Sequence, residues 1–365
     1  MSVKTLGFAN PAAQYQSHRA AIDEAIRTVL AGDIYIQGPA HEAFERDFAR
    51  FLGARHVVGV ANGTDALALA LLASGVEPGD KVVVPSHTAA ATITAVLMAD
   101  ARPVFVDVDP GSYVMQKDAV EAAIGEAKAV ILVHLYGCPA DAEALAALAR
   151  SSGTVLIEDC AQATGARING RRAGTIGNAG CFSFFPTKNL GAIGDGGAVV
   201  TDDDALAERL RALRTYGWDE ERLCRSVGWN SRLDEIQAAV LNAKLGALDA
   251  DNNRRRTIAA RYREGLDGLP LALPEESRHG DHVYHLFVVA LDERDALRAH
   301  LSSNGIIAGI HYPVPNHLHP AFVPYSPGSL PETERLAARI LSLPMYPELT
   351  DDDVNRVVAA VRSFF

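Results

Sequence analysis

Short apolar runs alternate with helical patterns over the first two thirds of the chain. Four runs rich in valine, isoleucine and leucine come early: KVVVPS (81–86), PVFVDV (103–108), AVILVHLY (129–136) and TVLIED (154–159). Such runs are typical of strands that are buried on both faces of a sheet. Helical patterns separate them, as in DALALALLAS (65–74) and ADAEALAALARSSG (140–153). The alternation predicts an α/β fold with a mainly parallel sheet covered on both faces.

The later pattern predicts two more strands and a second, smaller unit. CFSFFP (181–186) and GGAVVT (196–201) flank a glycine-rich turn, and a long helical pattern follows from Asp234 to about Leu266. Beyond it we expect a strand in HVYHLFVVAL (282–291), helices in ERDALRAHLSSNG and DDDVNRVVAAVRSFF, and an irregular Pro-rich loop over 312–331. We therefore predict a large domain over 1–245 and a small α+β domain over 246–365.

Composition narrows the classes of function. The 365 residues carry a net charge of −11, which disfavours nucleic acid and anionic membranes as partners. No apolar stretch approaches the roughly 18 residues of a membrane span, and the N-terminus lacks the apolar core of a signal peptide. The four cysteines form no CxxC pair, so we expect neither a metal site nor a disulfide framework. A reducing cytoplasm is the expected location.

Two strand-to-helix turns carry candidate ligand-binding residues. In ANGTDALALALLA (61–73), the amides of Gly63 and Thr64 are placed to bind a phosphate at a helix N-terminus. The alternative is an ordinary turn capped by Asn62 or Thr64. In IEDCAQATGA (157–166), Asp159 ends a buried strand, where ligands bind in open α/β sheets, unless it merely caps the next segment.

The segment GCFSFFPTKNLGAIGDGG (180–197) carries the strongest signal. Lys188 lies in a turn between two apolar strands, among glycines that allow the backbone to approach a ligand closely. A loop lysine is usually solvated, but these surroundings are too apolar and too specialised for that. Ser183 precedes it by five residues and offers a hydroxyl to a phosphate.

Together these residues meet the demands of pyridoxal 5′-phosphate (PLP). The aldehyde needs a lysine amine, the phosphate a set of donors, and the pyridine nitrogen a carboxylate. Lys188 is the predicted Schiff-base lysine and catalytic residue, and Asp159 is the expected partner of the ring nitrogen. Gly63, Thr64 and Ser183 are the expected phosphate ligands, and Gln162 is placed to reach the ring hydroxyl.

The ordered motifs resemble the DegT/DnrJ/EryC1/StrS family of sugar aminotransferases along nearly the whole chain. They include, in order: GDIYIQGPAHEAFERDF (32–48), VGVANGTDAL, VHLYGCPAD, IEDCAQATGA, SFFPTKNLGAIGDGG, WNSRLDEIQAAVL (229–241), VYHLFVV, GIHYPVPNHLHPAF (309–322) and LSLPMYPELT (341–350). The resemblance implies the fold-type I aminotransferase architecture and a homodimer with shared active sites.

The resemblance also implies residues beyond those derived above. Asn230 matches a residue that the family contributes to the phosphate across the dimer interface. His311 and Tyr312 lie in the segment that borders the sugar, and Tyr35 and His87 are further predicted substrate-binding residues.

Two positions depart from the family pattern. Ala89 replaces an aromatic residue that commonly stacks on the cofactor, so His87 either substitutes for it or is a polar residue on the rim. Phe185 replaces a frequent tyrosine, so any hydrogen bond from that hydroxyl to the sugar is absent.

The expected reaction is a ping-pong transamination from L-glutamate to a nucleotide-linked keto-6-deoxysugar. The NSRLDEIQAAVL and GIHYPVP segments are most similar to enzymes that aminate C3 of dTDP-3-keto-6-deoxyhexoses. The alternatives are a 4-keto or UDP-sugar aminotransferase, an inosose aminotransferase, a dehydratase of the same fold or a non-catalytic PLP-binding regulator. Lys188 argues against the dehydratase, which has histidine at that position. The arginines at 254–256 are either a solvated helix face or a diphosphate contact.

Overall fold

The structure, a computed structural model, describes residues 5–365. The helices within these residues are α1 (Pro11–Ser17), α2 (Arg19–Leu30), α3 (Pro39–Leu52), α4 (Gly63–Ala73), α5 (Ala90–Met98), α6 (Lys117–Ile124), α7 (Ala142–Ser151), α8 (Asp204–Leu213), α9 (Glu235–Leu245), α10 (Leu248–Leu266), α11 (Arg294–Ser303), α12 (Pro331–Arg339) and α13 (Asp351–Arg362). The strands are β1 (Leu6–Gly7), β2 (His56–Val60), β3 (Lys81–Pro85), β4 (Arg102–Val106), β5 (Ala127–Val133), β6 (Val155–Asp159), β7 (Arg167–Ile168), β8 (Arg171–Arg172), β9 (Ala179–Ser183), β10 (Gly197–Thr201), β11 (Gly280–Asp281), β12 (Phe287–Ala290), β13 (Ile306–Ile307) and β14 (Ile340–Leu343).

Seven strands form the central sheet in the order β2-β10-β9-β6-β5-β3-β4. The strands from β9 to β4 in this order are parallel, whereas β10 is antiparallel to both of its neighbours. All six predicted apolar runs contribute strands to the sheet, and the last five residues of β5 are buried. The predicted mainly parallel α/β sheet is thereby confirmed.

The sheet brings the ends of several strands to one edge. Asp159 ends β6, and the register pairs it with Val133 at the end of β5 and with Cys181 of β9. Ser183 ends β9, and the loop to β10 carries Lys188. Because the carboxyl ends of parallel strands share one edge, Asp159 and the Lys188 loop become neighbours.

A second hydrophobic core lies in the C-terminal part of the chain. It includes Tyr262, Phe287 and Val357, and also Leu6 from β1, which pairs with β13. The predicted boundary between residues 245 and 246 falls between α9 and α10. The division into two domains stays a prediction, because Leu6 packs with the C-terminal core.

Three predicted elements differ from the structure. The strand over 282–291 is confirmed only for β12, because the His282 ring accepts a hydrogen bond from the Tyr284 amide (2.9 Å) and the Val283 amide bonds outside the sheet. The long helical pattern is divided into α9 and α10 near Gly246, where helix propensity is lowest. The Pro-rich loop contains 3₁₀ turns at Asn316–Leu318 and Val323–Tyr325, and it ends where Pro331 begins α12.

Candidate active site

A cavity of about 230 Å³ opens at the carboxyl edge of the central sheet. The residues that line it include the predicted cofactor residues Gly63, Thr64, Asp159, Gln162, Ser183 and Lys188. They come from the start of α4, from the end of β6 and the turn after it, and from the end of β9 and its loop. The fold therefore gathers into one cavity six candidates that lie far apart in sequence.

One side of the cavity is built by the start of α4. Asn62 caps this helix, since its side-chain oxygen accepts a hydrogen bond from the Asp65 amide at 2.8 Å. The first amides of a helix have no intrahelical partner, and no other acceptor among the described residues bonds those of Gly63 and Thr64. A Cβ on Gly63 would lie 2.7 Å from the Ser183 Cβ, so only glycine allows this close approach. Free amides, the helix dipole and the nearby Ser183 hydroxyl make this side suited to an anion.

Asp159 supplies a buried carboxylate to the wall of the same cavity. Its two oxygens accept hydrogen bonds from the Ala161 amide (3.1 Å) and from the Thr92 hydroxyl (3.0 Å). Burial raises the pKa of Asp159 above its ordinary value, although these hydrogen bonds and the charge of Lys188 oppose the shift. A cationic N–H donor in the cavity would compensate the lost hydration of this carboxylate.

Lys188 is half-buried and contributes an unpartnered amine. Within the described residues its Nζ makes no hydrogen bond or ion pair, whereas its amide donates to the Phe185 carbonyl (2.8 Å) and holds the turn. Burial lowers the pKa of Lys188 to about 8, and the Asp159 carboxylate opposes this shift. Roughly a tenth of the amine is therefore unprotonated at pH 7, far more than for an ordinary lysine, and the unprotonated form is the one that a nucleophile or base requires. The alternative of a solvated loop lysine does not fit.

Gln162 connects the cavity wall to the segment at residues 311–312. Its Oε1 accepts a hydrogen bond from the Tyr136 amide (2.6 Å), and its Nε2 donates to the Tyr312 hydroxyl (3.0 Å). The Tyr136 hydroxyl in turn donates to the His311 carbonyl. Burial raises the pKa of Tyr312 to about 12, so its hydroxyl stays protonated. The predicted sugar-bordering segment is thus fixed to the predicted cofactor wall.

His87 does not line the cavity. Its side chain is 2% exposed, and its Nε2 donates to the Tyr136 hydroxyl at 2.9 Å. Burial lowers the pKa of His87 to about 4, so the ring is neutral. Neither stacking on a ligand nor a position on the rim fits this geometry. His87 instead supports Tyr136, and through it the wall formed with Gln162 and His311.

Tyr35 and Asn230 also lie outside the cavity of their own chain. Tyr35 is 51% exposed, and Asn230 is exposed where its segment pairs with Thr215. The residue after Asn230 is firmly held, because the Ser231 hydroxyl donates to Asp65 of α4 at 2.6 Å. The structure therefore places Asn230 near the segment that begins α4, with its side chain on the surface.

The two departures from the family pattern both lie at the cavity. Ala89 and Phe185 line it, and Phe185 is 49% exposed at its mouth. The position of Ala89 therefore presents a methyl group in place of a ring, and the rim at Phe185 is apolar.

Sequence reasoning missed several residues of the site. Thr88 and Asp195 line the cavity, and Thr92 holds the Asp159 carboxylate. Thr88 and Thr92 are four positions apart, and their hydroxyls lie 3.1 Å from each other. That spacing in PSHTAAAT, at the start of a helix, was a usable signal.

Arg255 and the buried group of His134, Glu158 and Cys160 are both held by hydrogen bonds within the fold. Arg255 is not on a solvated face: it is 3% exposed and donates to the Tyr284 and Met345 carbonyls. His134 and Glu158 form a buried pair at 3.1 Å beside Cys160; the His134 Nδ1 accepts from the Ala140 amide, and Glu158 accepts backbone amides.

Among the described residues, no helix is both long and apolar enough to cross a membrane.

The arrangement fits PLP on three observations of this structure. The helix start and Ser183 form an anion cradle that a Cβ at Gly63 would fill, as required for the phosphate. Among the described residues, no cationic side chain forms an ion pair with the buried Asp159, as expected for a carboxylate that meets a pyridine nitrogen. The Lys188 amine is free and partly deprotonated, as required for the aldehyde.

Comparisons with known proteins agree with this geometry. The profile of the DegT/DnrJ/EryC1/StrS aminotransferase family matches residues 16–362. The chain is 48% identical over 96% of its length to dTDP-3-amino-3,4,6-trideoxy-alpha-D-glucose transaminase of Streptomyces venezuelae, covering 94% of that protein. It is 46% identical over 98% of its length to UDP-N-acetyl-3-dehydro-alpha-D-glucosamine 3-aminotransferase of Acidithiobacillus ferrooxidans, covering 98% of it.

A solved structure of a related protein has nearly the same fold as this chain. The crystal structure of S. venezuelae DesV in complex with a ketimine intermediate superposes with a TM-score of 0.96 at 47% identity, over 99% of this chain and 98% of that one. This similarity confirms the predicted fold-type I aminotransferase architecture. We conclude that the chain is a PLP-dependent member of the DegT/DnrJ/EryC1/StrS aminotransferase family.

Proposed function

We propose that this aminotransferase moves an amino group from L-glutamate to C3 of a dTDP-3-keto-6-deoxyhexose. One observation carries the proposal: the free Lys188 amine and the buried Asp159 carboxylate line the same cavity. The substrate class is supported by the S. venezuelae relative, whose name describes a 3-amino dTDP-sugar transaminase. The A. ferrooxidans relative also aminates C3, but of a UDP-sugar, so C3 is better supported than the nucleotide base.

Six residues are proposed to hold the cofactor. The amides of Gly63 and Thr64 and the Ser183 hydroxyl bind its phosphate, because they form the anion-binding side of the cavity. Asp159 binds the pyridine nitrogen, with Thr92 and Ala161 fixing its two oxygens. Gln162 retains one free amide hydrogen for the ring hydroxyl after donating to Tyr312. Lys188 holds the aldehyde.

Bound PLP supplies an aldehyde that accepts an amino group and a ring that withdraws electrons from the reacting carbon. Lys188 moves the proton between the donor's α-carbon and the carbon next to the ring. Its lowered pKa, about 8, lets the same amine accept and return a proton near neutral pH. Asp159 keeps the ring nitrogen protonated, and the buried wall around it excludes water.

The ketosugar is proposed to bind at the mouth of the cavity. Neither Tyr312 nor His311 is among the residues that line the cavity, but the Tyr312 hydroxyl is hydrogen-bonded to Gln162 of its wall and is protonated. We propose that this segment contacts the sugar. The apolar Phe185 at the rim suits the 6-deoxy methyl group better than a hydroxymethyl group. Ala89 leaves room beside the ring that an aromatic residue would fill.

We further propose a homodimer in which each subunit completes the site of the other. Asn230 and Tyr35 are exposed and lie outside their own cavity, which fits residues that serve a second copy. Exposed apolar side chains occur in the same segments: Ile34 and Ile36 flank Tyr35 in the sequence, and Phe185 and Ile193 lie in the loop that carries Lys188. An apolar surface of this kind is typical of an interface. Asn230 of the partner subunit is proposed to bind the phosphate.

The first experiment is to record the visible spectrum of the PLP-loaded protein before and after L-glutamate, and to measure 2-oxoglutarate release. Loss of the yellow band with stoichiometric 2-oxoglutarate is the expected result. The aminated protein is then offered dTDP-3-keto, dTDP-4-keto and UDP-3-keto sugars and scyllo-inosose, and return of the band identifies the acceptor.

Each outcome separates the alternatives. A protein that binds no PLP overturns the proposal. One that binds PLP but ignores glutamate and other amino donors is a regulator or a dehydratase, and only the dehydratase consumes a ketosugar. Turnover of the UDP-sugar, the 4-keto sugar or scyllo-inosose, without the dTDP-3-keto sugar, replaces the proposed substrate and retains the reaction class.

A further inference from the structure

A buried asparagine on α10 links two of the segments that contribute residues to the active-site cavity. Asn252 is 1% exposed; its Nδ2 donates to the Thr164 carbonyl (3.0 Å), and its Oδ1 accepts from Asn189 Nδ2 (2.7 Å). Asn189 directly follows Lys188, and Thr164 lies two residues after Gln162. One side chain therefore connects the turn of the lysine with the turn that follows Asp159.

Both polar atoms of the Asn189 side chain are hydrogen-bonded. Its Nδ2 also donates to the Val283 carbonyl (3.0 Å), and its Oδ1 lies 3.2 Å from His285 Nδ1. An amide oxygen only accepts, so His285 carries its proton on Nδ1 and donates it. Asn189 is 4% exposed, so water cannot replace these bonds.

The backbone accommodates the bridge at one glycine. Gly165 has φ +90°, and a Cβ there would lie 2.6 Å from Asn252 Nδ2. Only glycine therefore allows the amide of Asn252 to reach the Thr164 carbonyl.

The Lys188 amine depends on such support. Its Nζ has no hydrogen-bond partner among the described residues, so its position is set by the backbone on either side of it. We propose that Asn252 is a positioning residue for the proposed transamination, holding Lys188 in register with Asp159 by fixing Asn189 and Thr164 at once. Asn252 is not among the residues that line the cavity, and it acts through Asn189.

The test compares variants of Asn252 in the PLP-loaded protein. Asn252→Leu keeps the branched shape and the number of side-chain heavy atoms and removes both hydrogen bonds, and Asn252→Asp keeps only the acceptor for Asn189. The single-turnover rate with L-glutamate, the glutamate concentration at half-maximal rate and the melting temperature are measured at each variant's own pH optimum. For Asn252→Leu we expect a rate loss of roughly 10- to 100-fold with the half-maximal concentration little changed.

Asn252→Asp should recover most of that rate and yet remain destabilised, because one of its oxygens meets the Thr164 carbonyl. Tyr262→Phe is the matched control: it lies on the same helix, is fully buried and loses one hydrogen bond to the Pro344 carbonyl. It should lower the melting temperature and leave the rate unchanged.

Rates that follow the melting temperature across all three variants would overturn the proposal. If Asn252→Leu does not fold, Asn252→Ala replaces it, since its smaller side chain admits water to the stranded groups and must still show the rate loss. The inference rests on the proposed function, and the two fail differently. A wild type without a glutamate half-reaction refutes the function, whereas an active wild type with an equally fast Asn252→Leu refutes only the role of Asn252.

Discussion

Two lysines of this chain are withdrawn from water, and their surroundings differ in one decisive respect. Burial lowers the pKa of both Lys188 and Lys244 to about 8. Lys244, on α9, donates to the side-chain oxygen of Gln14 (2.5 Å) and to the Gly191 carbonyl, so its amine is occupied. Lys188 opens onto the cavity with no partner for its amine among the described residues.

A lowered lysine pKa therefore does not identify a reactive amine by itself. Lys244 supports the loop that carries Lys188, because Gly191 lies three residues after Lys188 in the same turn. Its charge is also accompanied by Glu348 and Asp251, which raise its pKa, whereas Asp159 is the acid that raises the pKa of Lys188. The reactive lysine is distinguished by access and by the missing hydrogen bond.

The largest expected effect comes from replacing Lys188. Lys188→Ala should lower the rate of the glutamate half-reaction by at least about 10³-fold, because the base and the holder of the aldehyde are both lost. Lys188→Arg keeps the positive charge without a titratable amine and should be equally inactive. Lys244→Met should lower the rate by no more than about tenfold, since its amine does not reach the cavity and only supports the loop that carries Lys188. Stopped-flow decay of the yellow band measures all three, and an inactive Lys244→Met protein that still binds PLP would contradict the distinction.

The next largest effect is expected at Asp159, the acid that raises the pKa of Lys188. Asp159→Asn removes the carboxylate from the ring nitrogen, so the half-reaction should slow by about 10²-fold. The Thr92 hydroxyl can turn to accept from the new amide, which preserves the local packing.

The same variant has a stability signature with a definite sign. Burial raises the pKa of Asp159, so its contribution is most favourable at acid pH, where the carboxyl is protonated, and is lost as the pH rises through its folded-state pKa. At pH 7 the cofactor-free Asp159→Asn protein should be at least as stable as wild type, but PLP should raise its melting temperature less. Thermal unfolding with and without PLP tests this, and an unchanged gain from PLP would argue against an Asp159 contact with the ring.

The sequence predicted the parts of the site that depend on local pattern. Lys188 was recognisable because glycines surround it between two apolar strands, and Asp159 because it ends a buried run. Both signals arise from short-range requirements: close backbone approach for the lysine loop, and the shared edge of parallel strands for the acid.

Residues that act through distant partners gave no such signal. Asn252 lies in DADNNRRRT, which reads as a solvated helix, and its partners are Asn189 and Thr164. His87 was predicted at the substrate, but Tyr136 holds it in the interior. The pairing of these side chains is decided by tertiary packing, which one sequence does not display.

Lys244→Met is expected to have the smallest effect on catalysis. Its main effect is on the pH dependence of stability. A lysine whose pKa falls from 10.5 to about 8 on folding stabilises the protein fully above the unfolded value, and this contribution is lost as the pH falls through the folded value. Between pH 7.5 and 9.5 the free energy of unfolding should therefore rise by about 2 kcal/mol more with Lys244 than with Lys244→Met. Urea unfolding of the cofactor-free proteins measures this, in a Lys188→Ala background so that Lys188 does not titrate. An equal pH dependence with and without Lys244 would show that its amine is not desolvated as described.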